Sequence, residues 1–256
     1  MAVNYNWLKR TIISGLFLWI GVSMSACSTS MNWKEEALQN DGSIIVVERT
    51  VERAGRHEIG QPPPIKEQRL SFTLPDTGQH VIWKDQYTED VGGASFLPML
   101  LAVSKDSAYL VVTPAGCLPY NKWGRPNPPY VVFKYQSNAW QRIALQELPL
   151  EFKQVNLALS SPDDAAKEAR HGLLTSEQIK QWNSSDTRLP EYQTILRTPG
   201  VYSETGCMKE VYDGNGGWMS EDWFTNQPTQ EACLKVCKQN HIDAKYCPCG
   251  SLFKGK

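Results

Sequence analysis

The chain carries almost no excess of charge: 26 Lys and Arg face 27 Asp and Glu over 256 residues, for a net −1. No basic block interrupts that balance, which argues against nucleic acid as a partner. Histidine is scarce, and His57, His80, His171 and His241 lie too far apart in sequence to propose a metal site. G-x-S-x-G, H-E-x-x-H, Walker A and dinucleotide-binding fingerprints are all missing. No catalytic residue, metal ligand or cofactor is therefore assigned. Beyond the N-terminal region there is no apolar run long enough to span a bilayer.

That N-terminal region reads as an export signal. Lys9 and Arg10 supply a positive start, Thr11 to Val22 an apolar stretch, and Ser23 to Ala26 small residues before a cleavage point. Ser23, Ser25, Ser28, Thr29 and Ser30 leave the apolar core well short of the roughly 20 residues an uncleaved span needs. Met24-Ser25-Ala26-Cys27 resembles a bacterial lipobox. The resemblance implies that the Cys27 sulfur is diacylated, that the peptide is cut before it, and that the new amino terminus is acylated too. Two or more acyl chains, at about 0.8 kcal/mol per buried methylene, hold a protein stably on a membrane. Residue 28 is Ser rather than the Asp that tends to retain such lipoproteins in the inner membrane, so the periplasmic face of the outer membrane is expected. Loss of residues 1–26 leaves 230 residues, enough for one large or two small domains. It also moves the net charge from −1 to −3, because Lys9 and Arg10 leave and no acid does.

With Cys27 committed to lipid, six cysteines remain: Cys117, Cys207, Cys233, Cys237, Cys247 and Cys249. An even number in an oxidising compartment reads as three disulfides. By residue type alone, the last four with His241 would serve zinc equally well, and a redox centre is disfavoured because the cluster lacks C-x-x-C. Thr229 is a plausible N-cap for a helix through QEACLKVCKQN, which places Cys233 and Cys237 on one face. Cys247 and Cys249 flank Pro248, a residue expected to favour extended chain. An antiparallel return would join Cys237 to Cys247 and Cys233 to Cys249, with crossed pairing left open. Cys117 and Cys207 then pair by elimination.

The middle of the chain is strand-rich. SIIVVERTV at Ser43 to Val51 is followed by three hairpin patterns: RLSFTL into QHVIW, PMLLAV into AYLVVT, and YVVFKY into WQRIAL. The last resembles the outer strand pair of a propeller blade. The fold class expected is mainly β: antiparallel sheets, as a sandwich or an open, partly propeller-like arrangement, with short helices and a small cysteine-rich helical C-terminal region. Helices are expected in Ser161 to Arg170 and Thr175 to Trp182, both with capping residues at their starts. The organisation expected is a signal peptide at 1–26, a tether at 27–42, an antiparallel β domain at 43–160 and a mixed helix and loop region at 161–256. Asp213-Gly214-Asn215 has calcium-loop spacing, but Phe224 stands where such a loop needs glutamate.

PAGCLPYNKWGRPNPP, Pro114 to Pro129, is long for a strand connection, and such connections are often binding elements. Tyr120, Trp123 and Arg125 within it have the chemistry of a partner-binding surface. The competing reading makes Trp123 a lid folded onto the core and anchored by Cys117. His57 beside Glu58 is the best candidate for a general base, although neighbours on extended chain point apart and a polar loop is the simpler reading. GRHEIGQPPPIKEQ and YNKWGRPNPPYV resemble a group of uncharacterised proteobacterial exported proteins. That resemblance implies a shared fold and location, and no activity. The function expected is a lipid-anchored binding or assembly module of the cell envelope, joined to the membrane by its N-terminal lipid. Its partner is expected to be another envelope protein or a cell-wall component. The alternative is a periplasmic hydrolase with a site assembled from distant residues.

Overall fold

The computed structural model describes residues 29–254 except 56, 105–106, 160, 185–188 and 201–205. Cys27 lies outside the described residues, as does Arg56. Strands β1 (Thr29–Leu38), β2 (Ile44–Arg53), β3 (Ile65–Thr73) and β4 (His80–Gln86) form one four-stranded antiparallel meander. Strands β5 (Phe96–Ser104), β6 (Ser107–Pro114), β7 (Val131–Gln136) and β8 (Ala139–Ile143) form a second, with helix α1 (Cys117–Lys122) between β6 and β7. The chain is thus mainly β, as its hairpin patterns predict.

In the first sheet strict alternation turns one face inward. Ala37, Ile45, Val47, Leu70, Phe72, Val81 and Trp83 pack against Phe96, Leu101, Leu110, Val112 and Val131 of the second sheet. The opposite face of the second sheet is covered too. Met99, Leu100, Val111 and Val132 meet Leu148, Phe152, Val155 and Ile195 from the chain that follows β8. Burial on both faces is why β5 and β6 read as continuous apolar runs, while the RLSFT of β3 alternates. The β7–β8 turn places Ser137 and Asn138 at positive φ (52° and 63°), the conformation of a two-residue hairpin turn whose twist suits the flanking strands.

Two expectations change here. The tether expected at 27–42 is, from residue 29 on, a strand and a turn: β1 begins at Thr29 and pairs with β2 along its whole length, from Thr29↔Arg53 to Leu38↔Ile44. The segment hides its strand character because Glu35 points inward. It is buried against Arg49, whose Nη1 lies 3.0 Å from its Oε1, and accepts from Trp33 Nε1 at 2.9 Å. Nor is 161–256 one region. Helices α2 (Pro162–Glu168) and α3 (Ser176–Asn183), capped by Ser161 and Thr175, bring Ala165, Leu174 and Ile179 against Trp33 and Val51. Helix α4 (Pro190–Gln193) leads into the cover of the second sheet. Tyr130 Oη donates to Glu191 O (2.7 Å), and Arg197 binds the carbonyls of Leu145, Leu148, Pro149 and Phe152.

Only residues 206–254 build a separate small lobe. It holds the hairpin β9 (Glu210–Tyr212) and β10 (Trp218–Ser220) and helices α5 (Asp222–Thr225), α6 (Gln230–Gln239) and α7 (Cys249–Leu252). Its core is Phe224, Cys233, Cys237, Ile242 and Cys249.

Candidate functional site

The six cysteines expected to pair do so: Cys117–Cys207, Cys233–Cys249 and Cys237–Cys247, with Cα separations of 5.2, 5.8 and 5.9 Å. Such separations are within the range a bridge requires. The sulfurs of Cys237, Cys247 and Cys249 lie within 4.8 Å of one another, and each is spent in a bridge. The extended chain expected around Pro248 is not formed. Pro248 adopts helical backbone angles (φ −82°, ψ −6°) and α7 starts at Cys249, so the two sulfurs are presented by a helical turn and not by a strand.

The 114–130 segment is an internal dock. Tyr120 is buried, and Arg125 lies over its ring at 4.8 Å. The Arg125 guanidinium donates to Cys207 O (2.9 Å) and Met208 O (3.0 Å), while Asn121 Nδ2 donates to Met208 O (3.0 Å). Trp123 packs on Phe96 and Phe133, at 4.6 and 6.2 Å between ring centroids. Lys122 reaches Asp90 at 2.8 Å, and Trp218 Nε1 donates to Asp90 O. The three residues expected to face a partner, Tyr120, Trp123 and Arg125, are therefore engaged within the chain: Arg125 fastens the small lobe to the β domain, Tyr120 lies beneath Arg125, and Trp123 packs on the second sheet. Residue types alone announced a recognition surface; the partners they found are carbonyls some 80 residues downstream.

Other candidate sites are structural. Asp213 accepts from the backbone N–H of Asn215 (2.6 Å) and Gly217 (2.9 Å), closing the β9–β10 turn in the place where calcium spacing was noted. A Cβ at residue 217 would lie 2.3 Å from Asp213 Oδ2, so a larger residue there would displace the carboxylate that closes the turn. His57 Nδ1 sits 3.2 Å from Gly55 O, and Glu58 accepts from Gln61, both exposed within their own loop. Asp85 is buried, and its Oδ2 accepts from Gln68 Nε2 and from the N–H groups of Ser95 and Phe96, at 2.8–2.9 Å. Burial pushes its carboxyl above the ordinary range despite these bonds.

The surface that remains is the outer face of the first sheet. Leu38, Ile44, Val46 and Ile82 are each 45–48 % exposed on it. Leu38 stands directly across from Ile44 in the register, and Val46 follows Ile44 on the same face of β2. Pairing of β2 with β3 begins only at Glu48↔Ser71, so β3 does not pair with Ile44–Val47 and the strands splay apart. A groove of about 360 Å³ opens there, lined by Ile44, Val46, Thr73, Pro75 and His80 among others. At its rim Lys34 hydrogen-bonds Glu48 (2.7 Å) and holds that carboxyl below its usual range, with a smaller contribution from His80. Sequence reasoning missed this surface, although four consecutive aliphatics in IIVV on an alternating strand oblige two of them to face outward.

No family model, curated protein or solved structure matches the chain.

Proposed function

We propose that the chain is a lipid-anchored protein of the cell envelope, held through Cys27 on the periplasmic face of the outer membrane, and that it works as a binding or assembly module. The export-type N-terminus and the lipobox-like Met24 to Cys27 support the anchor. The three cysteine pairs fit an oxidising compartment. The observation that carries the binding reading is the bare apolar corner of the first sheet, Leu38, Ile44, Val46 and Ile82, beside a groove where β2 lacks a pairing partner on its β3 side. Half-exposed aliphatics gathered at unpaired strand backbone suit an apolar segment of another envelope protein, received by main-chain pairing and side-chain burial. The corner also lies at the end of β1 opposite Thr29, about 30 Å away at 3.3 Å per residue, and so faces away from an anchor at Cys27.

Photo-crosslinking in the native envelope tests this reading. A photoreactive residue at Val46 or Ile82 should give a discrete protein adduct that one at Gln86, on the same face at the other end, does not. Adducts with glycan alone would point to the cell wall instead of a protein, and no adduct at either position would remove the binding surface. Replacing Cys27 with Ser should release the protein from the membrane fraction or leave uncleaved precursor. Unchanged attachment with normal cleavage would sink the anchor.

A further inference from the structure

We infer that the end of the first sheet from which β1 emerges is a second membrane contact, with Ile59 and Tyr87 resting in the lipid interface. This rests on the anchored reading above and adds a surface to it. Strand β1 begins at Thr29, two residues after Cys27. Two extended residues reach at most about 7 Å, so a lipid on Cys27 leaves the β domain no slack to stand away from the bilayer.

The residues beside Thr29 are fixed by register. Thr29 pairs with Arg53, Arg53 with Ile65, and Tyr87 N donates to Lys66 O at 2.6 Å. The β2–β3 connection, of which residues 54–55 and 57–64 are described, therefore lies at the same end of the sheet as the anchor. Its base is closed by Ala54 N to Pro64 O (3.2 Å) and by Arg53 Nη1 to Pro63 O (2.8 Å), and Arg53 is also paired to Asp163. A fastened base with Gly60 at φ 88° holds a short turn, in which Gln61 N bonds Glu58 O, at its tip. That tip presents Ile59, the most exposed large apolar side chain among the described residues. Tyr87, half exposed, follows β4 at the same edge. An apolar tip and a tyrosine at the same end of the sheet suit the boundary of headgroups and acyl chains, where aromatic rings with one polar end settle and apolar groups sink by about 5–10 Å. In water a fully exposed isoleucine gains nothing; at the end of the sheet where Thr29 follows an acylated Cys27 by two residues, it has a bilayer to enter.

The test uses the full, exported and lipidated protein reconstituted in vesicles of phosphatidylethanolamine and phosphatidylglycerol. Its other cysteines are bridged or acylated, so Ile59→Cys and, separately, Thr77→Cys each give one free thiol for an environment-sensitive fluorophore. Thr77 lies in the β3–β4 turn at the opposite end of the sheet. The probe at 59 should shift to the blue and be quenched by nitroxide-bearing lipid, while the probe at 77 keeps its emission in water and escapes quenching. Vesicle-bound protein whose probe at 59 behaves like that at 77 would overturn the second contact and leave the anchor standing. Protein that does not float with the vesicles at all would take down the anchor and, with it, this contact.

Discussion

Cys117 on α1 is bridged to Cys207 at the start of the small lobe, across 90 residues of sequence. The bridge does not act alone, because Arg125 and Asn121 hold the carbonyls of Cys207 and Met208 beside it. In the loop-entropy account a closure of this length is worth about 4–5 kcal/mol. The double substitution Cys117→Ala, Cys207→Ala should lower unfolding stability by about 2–5 kcal/mol and raise hydrogen exchange in 206–220 before the β sheets are affected. Uniform exchange throughout the chain, with unfolding as one unit, would show that the lobe has no separate stability.

Trp123 belongs to the core's edge and not to a partner. Its ring lies on Phe96 and Phe133, and the Arg142 guanidinium lies over it at 5.4 Å. Trp123→Ala should therefore cost about 3 kcal/mol of stability. Trp123→Phe should cost much less, because the indole Nε1 is buried with no hydrogen-bond partner among the described residues. Denaturant unfolding of both variants decides. If Trp123→Ala melts like the parent, the ring is not a packing element and a partner-facing role returns.

How far the sequence showed all this depends on whether the signal was local. Hairpins were legible because turns and β-branched runs act over a few residues, and β5 and β6 were plain from their apolar runs. Helix α6 and its sulfurs were legible from capping and from i, i+4 spacing. Strand β1 was not, because TSMNWKEEAL sends a carboxylate inward, and only Arg49 on the next strand makes that tolerable. The roles of Tyr120 and Arg125 were equally hidden: their chemistry was visible, but the carbonyls of Cys207 and Met208 that engage Arg125 are set by tertiary structure. The outward turn of two aliphatics in IIVV was local and legible, but the groove beside them was not, because it depends on where β2 and β3 diverge.

Glu35 and Arg49 form an ion pair with almost no exposure. A buried pair is more costly to break than to replace, since one orphaned charge keeps its full desolvation penalty. Arg49→Met should lose about 3–5 kcal/mol, whereas Arg49→Met combined with Glu35→Gln should recover most of that while leaving an acceptor for Trp33 Nε1. A double variant as unstable as the single would place the worth of Arg49 in its stacking over Trp33, 4.9 Å away, and not in charge.

Asp85 gives a pH dependence of opposite sign to that of most acids in folded proteins. All three of its hydrogen bonds end on Oδ2, which leaves Oδ1 able to take a proton without losing any of them. Burial raises its folded pKa above the unfolded value, so the folded state binds more protons in the window between the two. Its contribution to stability is therefore present below the unfolded pKa and is lost as pH rises through the folded one. Asp85→Asn keeps an oxygen for the three donors and removes the charge. It should be within about 1 kcal/mol of the parent near neutral pH, or more stable, and the parent should gain on it as the solution is acidified through that window. Asp85→Ala leaves the Ser95 and Phe96 N–H groups without their acceptor and should cost about 2–4 kcal/mol at every pH. Melting curves of the three proteins from acid to neutral pH test the sign. A parent that loses ground to Asp85→Asn on acidification would mean that the hydrogen bonds outweigh burial and that the carboxyl titrates below its ordinary value.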